Sequence, residues 1–106
     1  MPFRITERTD ADDARRLTLT GELDIATTPK LSQRLQELGA TYRRVRLDLS
    51  QLDFMDSTGI AIILLNLRDA AQDGWELEID PTVSPQVARL LSIAGIERQL
   101  WPSTGR

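Results

Sequence analysis

The stretch from Val45 to Leu65 constrains this chain more than any other part of it. Val45-Arg46-Leu47-Asp48-Leu49 alternates apolar and polar residues, the pattern of a strand with one buried face. Ile60-Ala61-Ile62-Ile63-Leu64-Leu65 is apolar nearly all round. It reads as the start of a buried helix that runs to about Gln72, with Gly74 just past its end. Between them lies Leu52-Asp53-Phe54-Met55-Asp56-Ser57-Thr58-Gly59, read as an acidic loop. A strand that hands over to a buried helix implies a sheet covered by helices. The first turn of a helix leaves backbone N–H groups unpaired and carries the positive end of the helix dipole. A hydroxyl placed there is suited to carrying a phosphoryl group, which would meet those N–H groups. Ser, Thr and Asp are also ordinary N-cap residues, so the local residues alone leave both readings open.

The flanking segments extend the pattern. Phe3 to Glu7 and Arg16-Leu17-Thr18-Leu19-Thr20 read as two strands of a hairpin around the polar turn Thr9-Asp10-Ala11-Asp12-Asp13. Gly21-Glu22-Leu23-Asp24 ends the second strand. Thr28-Pro29 is a helix-start signal with Thr as the cap. Leu31, Leu35 and Leu38 then share one helical face, and Gly39 is the expected stop. Trp75 to Ile79 alternates as a further strand. Ser84-Pro85 opens a last helix with Val87, Leu90, Leu91 and Ala94 on its apolar face, closed by Gly95. Ile96 to Trp101 reads as a short terminal turn or helix packing back on the body. The expected fold class is α/β: a four-stranded mixed sheet in the order β-β-α-β-α-β-α, with helices packed on it. Sites in such sheets lie beyond the carboxyl ends of strands. Asp24 and the group Asp53, Asp56 and Ser57 fall at two such ends.

Composition narrows the function. With 106 residues the chain suits one domain spanning 1–106, its core over about 3–101. The absence of Cys and His excludes disulfides, thiol nucleophiles, zinc sites built on those residues and the usual base of a serine hydrolase. Lys30 is the only lysine, which leaves a Ser–Lys dyad formally open. A net charge of −3 argues against nucleic acid as a partner. Arg15-Arg16 and Arg43-Arg44 with Arg46 are expected at exposed strand ends and solvated turns. Ile60 to Leu65 is the longest apolar run, far short of the roughly 20 residues that span a bilayer. No signal peptide is visible, so a soluble cytoplasmic domain is expected, and with nothing to suggest a large exposed apolar patch a monomer is the default when free.

Three segments resemble the STAS family, and within it the bacterial anti-sigma factor antagonists. Leu19-Thr20-Gly21-Glu22-Leu23-Asp24 resembles the family's strand-two ending. Leu47 to Ile60, with Asp56-Ser57-Thr58-Gly59 at its centre, resembles the phosphorylation segment. Ser84-Pro85-Gln86-Val87-Ala88-Arg89-Leu90-Leu91 with Ala94-Gly95-Ile96 resembles the last helix. The three occur in order over nearly the whole chain. The resemblance implies a single STAS domain that is a binding module and no enzyme, without cofactor or metal. It implies that the unphosphorylated form binds an anti-sigma factor that is itself a serine kinase, freeing a sigma factor. Phosphorylation at Ser57 would end that binding, and a PP2C-type, metal-dependent serine phosphatase would restore it.

On this reading Ser57 is the phosphoacceptor, with Thr58 a less favoured acceptor. Asp56 shapes the loop, contacts the kinase or simply caps the helix. Asp24 orients Ser57, touches the partner or is a solvated turn residue. Gly59 permits close backbone approach. Ile60 belongs to the core and also offers apolar surface to the interface, and Met55 fits either place. Ile25-Ala26-Thr27 departs from the polar or His residues of many relatives, which bears on partner choice. Two other readings are open. One is a phosphorylation-independent STAS module of a transporter ATPase or signalling assembly. The other is a phosphatase or nucleotide hydrolase with Mg²⁺ on Asp24 and Asp56, disfavoured by the lack of a phosphate-cradling glycine loop.

Overall fold

In the computed structural model, which describes residues 2–102, the chain opens with the expected hairpin. Strand β1 (Arg4–Thr9) pairs antiparallel with β2 (Arg15–Leu23), from Arg4 opposite Thr20 to Thr9 opposite Arg15. Helix α1 (Thr28–Gly39), β3 (Arg44–Asp48), β4 (Leu52–Met55), α2 (Ser57–Asp73), β5 (Glu76–Ile79), α3 (Pro85–Ala94) and the short α4 (Glu97–Leu100) follow. The extreme ends of the 1–106 domain span lie outside the described residues.

The sheet has five strands, one more than expected, in the path β1-β2-β3-β5, with β4 also pairing β2. The added strand is Leu52–Met55, which sequence patterning assigned to a loop. It has no period-two signal: Leu52 and Met55 are buried at its ends while Asp53 and Phe54 between them are exposed. The length of β2 allows it. Arg15 to Thr18 pair with β3, and Gly21 to Leu23 pair with β4, both in parallel. The register shifts between Gly21 and Glu22, and Gly21 sits at φ +86°. A glycine suits this bulge because its backbone is left-handed there, and a Cβ would lie 2.6 Å from the Pro2 carbonyl oxygen.

Alternate residues of the strands form one core with the helices. Leu17, Leu19, Leu23, Val45, Leu47 and Ile79 are buried with Leu31 and Leu35 of α1, Ile63 of α2, and Val87 and Leu91 of α3. Gly74 and Gly95 take the left-handed conformation past α2 and α3, as expected of C-terminal glycines. Gly39 does a different job from the expected stop. The helix is continued by Ala40 in a right-handed conformation, and a Cβ on Gly39 would lie 2.2 Å from the Trp75 ring. Its absence lets that indole close over α1. The α1 cap position falls on Thr27, one residue earlier than expected, and its side chain makes no cap bond. Ser84 occupies the α3 cap position, yet its hydroxyl is buried without a hydrogen-bond partner among the described residues. At the end of the described chain the Trp101 indole N–H donates to the Ile79 carbonyl at 2.7 Å, so the terminal segment packs on β5 as expected.

The other face of the sheet carries an ion network rather than solvated basic turns. Arg16 meets Asp10, Asp48 and Asp80, each at 2.9 Å. Arg46 meets Asp10 and Asp12 at 2.7 Å and Glu78 at 3.2 Å. Both arginine side chains are only 13–15% exposed. Their partners come from distant strands and loops, which is why local sequence reading assigned these arginines to solvent. Arg15 pairs with Glu7 and lies over the Tyr42 ring at 5.5 Å.

The network sets a pH dependence. Burial works against the charged forms of Asp10, Asp48 and Glu78, but hydrogen bonds overcome it and hold all three carboxyls below their usual range. Those bonds come from Arg46 and Arg16 to Asp10, from Ser50 and Arg16 to Asp48, and from Arg44 and Arg46 to Glu78. Groups with depressed folded values contribute stability above their unfolded values and lose it as pH falls through the folded ones. We therefore expect unfolding free energy to be nearly flat from neutral pH down to about pH 5 and to drop steeply below about pH 4, near the unfolded carboxylate values. Urea titrations across that range check this; a steady decline from pH 8 to 5 would contradict it.

Candidate functional site

The site is built where β2 and β4 end side by side. Leu23 and Met55 are their last paired residues, and the Asp56 N–H donates to the Leu23 carbonyl at 3.3 Å. Asp24 and Asp56 therefore leave the sheet as neighbours, at the carboxyl ends of parallel strands.

Each acid then organises its own turn. Asp24 Oδ1 accepts from the Ala26 N–H at 2.9 Å, and the Asp24 carbonyl accepts from the Thr27 and Thr28 N–H groups. The Thr27 hydroxyl accepts from the Asp24 N–H and lies 2.9 Å from the Glu22 carbonyl, to which it donates. Asp24 thus behaves as the turn residue and makes no hydrogen bond to Ser57.

Asp56 is the N-cap of α2, in extended conformation. Its Oδ1 accepts from the Thr58 N–H at 3.0 Å, the Gly59 N–H at 3.2 Å and the Thr58 hydroxyl. The Thr58 hydroxyl above all, with the Gly59 and Thr58 N–H groups, holds the Asp56 carboxyl below the usual carboxylate range. The cap corrects one expectation. The Thr58 and Gly59 N–H groups are not free for a phosphate, because Asp56 already occupies them.

Ser57 is the first residue of α2 and is exposed, and its hydroxyl has no hydrogen-bond partner among the described residues. It is therefore not the cap. The adjacent Thr58 hydroxyl is committed to Asp56 and half-buried. Two neighbouring hydroxyls are thus unlike: one is free and outward, the other internally bonded. Among the described residues no side-chain base is hydrogen-bonded to Ser57.

Gly59 has the role expected of it. A Cβ there would lie 2.6 Å from Met55 Cγ and 3.2 Å from two Leu23 side-chain atoms. The first turn of α2 can therefore sit directly on the strand ends, which fixes where Ser57 is presented. Replacing Gly59 by Ala sets a helix-propensity gain of up to about 1 kcal/mol against an overpacking cost of about 1–3 kcal/mol. Met55 and Leu23 are both buried and cannot give way easily. Gly59→Ala should therefore lower the urea midpoint; a higher midpoint would show that the strand ends yield.

Met55 is 4% exposed and Ile60 is 9% exposed, so both belong to the core, and Ile60 does not supply the apolar interface expected of it. The large exposed apolar residues among those described are others: Ile93 at 78%, Ile25 at 74%, Phe54 at 46% and Leu65 at 39%. Sequence reading did not single out Phe54 or Ile93. The available signal was Phe54 standing between acids in a stretch with no alternation.

What kind of protein carries this arrangement is shown by comparison with known ones. The family model described as "Mlab, STAS domain" matches residues 7–102. The anti-sigma-B factor antagonist of Staphylococcus aureus (strain NCTC 8325 / PS 47) is 32% identical over 100 residues, covering 93% of this chain and 92% of that protein. The anti-sigma-B factor antagonist of Bacillus subtilis (strain 168) is 26% identical over 81 residues, covering 76% of this chain and 73% of that protein. Among solved structures, an anti-sigma factor antagonist from Mycobacterium paratuberculosis superposes with a TM-score of 0.76 at 20% identity, over 94% of this chain and 84% of that one. The anti-sigma factor antagonist SpoIIAA in its unphosphorylated form gives 0.70 at 18% identity, over 88% and 82% of the two chains. With a family model spanning nearly all the described residues and a full-length relative at this identity, the chain belongs to the STAS-domain family of anti-sigma factor antagonists.

Proposed function

We propose that the unphosphorylated protein binds an anti-sigma factor that is a serine kinase, so that a sigma factor is released, and that phosphorylation of Ser57 ends the binding. The observation that carries this reading is the exposed, unbonded Ser57 hydroxyl beside a Thr58 hydroxyl tied to Asp56. A kinase reaching this turn meets one available acceptor. The γ-phosphoryl of ATP held by the kinase passes to Ser57 Oγ, ADP leaves, and the hydroxyl proton goes to a base on the kinase. A PP2C-type serine phosphatase hydrolyses the ester and restores the binding form. The protein acts as substrate and binding module, and no enzymatic step is its own.

Electrostatics supports release without unfolding. Phosphorylation adds about −1.5 to −2 charge at pH 7. The new charge sits next to Asp56 and Asp24, so the surface becomes repulsive to a partner that faces it with acidic groups. The helix dipole partly stabilises the phosphate, so α2 is retained. The test is phosphorylation with the purified cognate kinase and ATP–Mg²⁺, followed by site mapping. One phosphoryl group should appear on Ser57, and Ser57→Ala should accept none. Label on Thr58 in the wild type would contradict the acceptor assignment.

A further inference from the structure

Helix α2 does not bury its most apolar side. Gly59, Ile63, Asn66 and Ala70 form its inward stripe, at the spacing of one helical face. One residue on, Ile60, Leu64, Leu67 and Ala71 repeat that spacing with four apolar side chains. This second stripe lies about 100° around the helix, the step of one residue. Leu64 and Leu67 are only half-buried, and Ala71 is exposed. Apolar burial alone therefore favours a rotation that the helix does not have.

Asn66 stands where the inward stripe meets α1, and it is 1% exposed. Its Nδ2 donates to the Ile62 carbonyl at 2.8 Å, one turn back, and to Ser32 Oγ of α1 at 3.3 Å. The Ile62 carbonyl can only accept, which fixes that end of the amide as nitrogen. The Oδ1 is then buried with no hydrogen-bond partner among the described residues. A buried acceptor left unpaired costs stability that a leucine of similar size would not. Among the described residues the bond to Ser32 is also the only side-chain hydrogen bond between α2 and α1. A single buried Asn that fixes register at the expense of stability has a precedent in coiled coils.

We infer that Asn66 is a positioning residue for Ser57: its bond to Ser32 sets the rotation of α2, and with it the direction in which the Ser57 hydroxyl faces a kinase. The inference rests on the proposed function. Gly59 fixes how closely the first turn sits on the strand ends, which is a matter of shape. Asn66 fixes the rotation through a directional bond. Ser57 and Asn66 lie on one unbroken helix, about two and a half turns apart, so a rotation at one is carried to the other. Placement of the acceptor acts on the transfer step more than on binding, so a misplaced Ser57 shows in kcat.

The test compares wild type, Asn66→Leu, Ser32→Ala, Ser32→Thr and the double variant Asn66→Leu with Ser32→Ala. It reads the urea midpoint, the amide NMR spectrum of α2, and kcat and KM for phosphorylation of Ser57 by the purified cognate kinase with ATP–Mg²⁺. Asn66→Leu should keep or raise the urea midpoint and give doubled or broadened amide peaks over residues 57–70. Its kcat should fall by roughly tenfold, with KM within about twofold of wild type. Ser32→Ala should change the peaks and kcat in the same direction. Ser32→Thr should stay near wild type because it keeps the hydroxyl. The double variant should be no worse than Asn66→Leu, since both remove one bond. Single sharp peaks in Asn66→Leu and Ser32→Ala, with kcat within about twofold of wild type in both, overturn the inference. So does a fall in kcat that tracks a lower urea midpoint in Asn66→Leu and is absent from Ser32→Ala, because that is lost packing. Wild type that accepts no phosphoryl group ends the proposed function. The amide spectra then still decide the rotation, and single sharp peaks in Asn66→Leu overturn it.

Discussion

Ser57→Asp should weaken binding of the anti-sigma factor by at least about a hundredfold while leaving the fold intact. Like charges brought together across an interface cost several kcal/mol, and each step of about 1.4 kcal/mol is tenfold in affinity. The substitution places a carboxylate at the exposed first position of α2, beside Asp56 and two residues past the Leu23–Met55 rung. An acidic residue is tolerated in the first turn of a helix, so the folding cost is small. The amide NMR spectrum should therefore keep its dispersion, with changes confined to residues around 24–27, 53–60 and 86–93. True phosphorylation should do more than the carboxylate, since it adds more charge. If Ser57→Asp bound as wild type did, a local charge would not be the switch. If the spectrum collapsed, release would be by unfolding and the electrostatic account would fail.

The second large effect lies on the opposite side of the sheet. Arg16→Met should cost about 2–3 kcal/mol of stability at pH 7, somewhat under the 3–5 kcal/mol typical when one member of a fully buried ion pair is removed. The discount reflects residual contact with water, since the Arg16 side chain is 13% exposed. The loss comes from Asp10, Asp48 and Asp80, which converge on one guanidinium and would be left facing one another. The pH dependence separates this from lost packing. In the wild type, stability held by Asp10 and Asp48 is present above about pH 4 and is lost as pH falls through their depressed values. The variant has less of it to lose, so the gap between the two proteins should narrow in acid. Paired urea titrations at pH 7 and at pH 3.5 measure it. A gap of equal size at both would mean that Arg16 acts through its aliphatic stem.

The fold was legible wherever periodicity was set by a single buried face. Leu17 and Leu19, Leu31 and Leu35, Val45 and Leu47, and Val87 and Leu91 all stand in the core that their spacing predicts. Leu52–Met55 was not legible as a strand, because its pairing is decided by the length of β2 and by the bulge at Gly21, both remote in sequence. Gly39 shows a similar limit. Its need is set by a Trp on another element, and nothing local distinguishes that from a helix stop.

The site was legible in its residues and only partly in their roles. Asp24, Asp56, Ser57 and Thr58 are brought together at the paired ends of β2 and β4. The division of labour among them depends on hydroxyl and carboxylate geometry. Asp56 takes the cap and two amides, Thr58 is spent on Asp56, and Ser57 is left free. Ile60 was expected in the core with apolar surface left over for an interface, but the approach allowed by Gly59 draws the first turn of α2 inward and leaves it only 9% exposed. Phe54 and Ile93 hold the exposed apolar positions instead. They lie on β4 and α3, which no local pattern places side by side.

The measurement that bears most directly on the central claim is affinity capture from the source cell with wild type, Ser57→Ala and Ser57→Asp as baits, read by mass spectrometry. Wild type and Ser57→Ala should retain a serine-kinase anti-sigma factor that Ser57→Asp does not. Recovery of the same transporter ATPase or scaffold component by all three would contradict the phospho-switch and leave Ser57 as no more than the first residue of a helix.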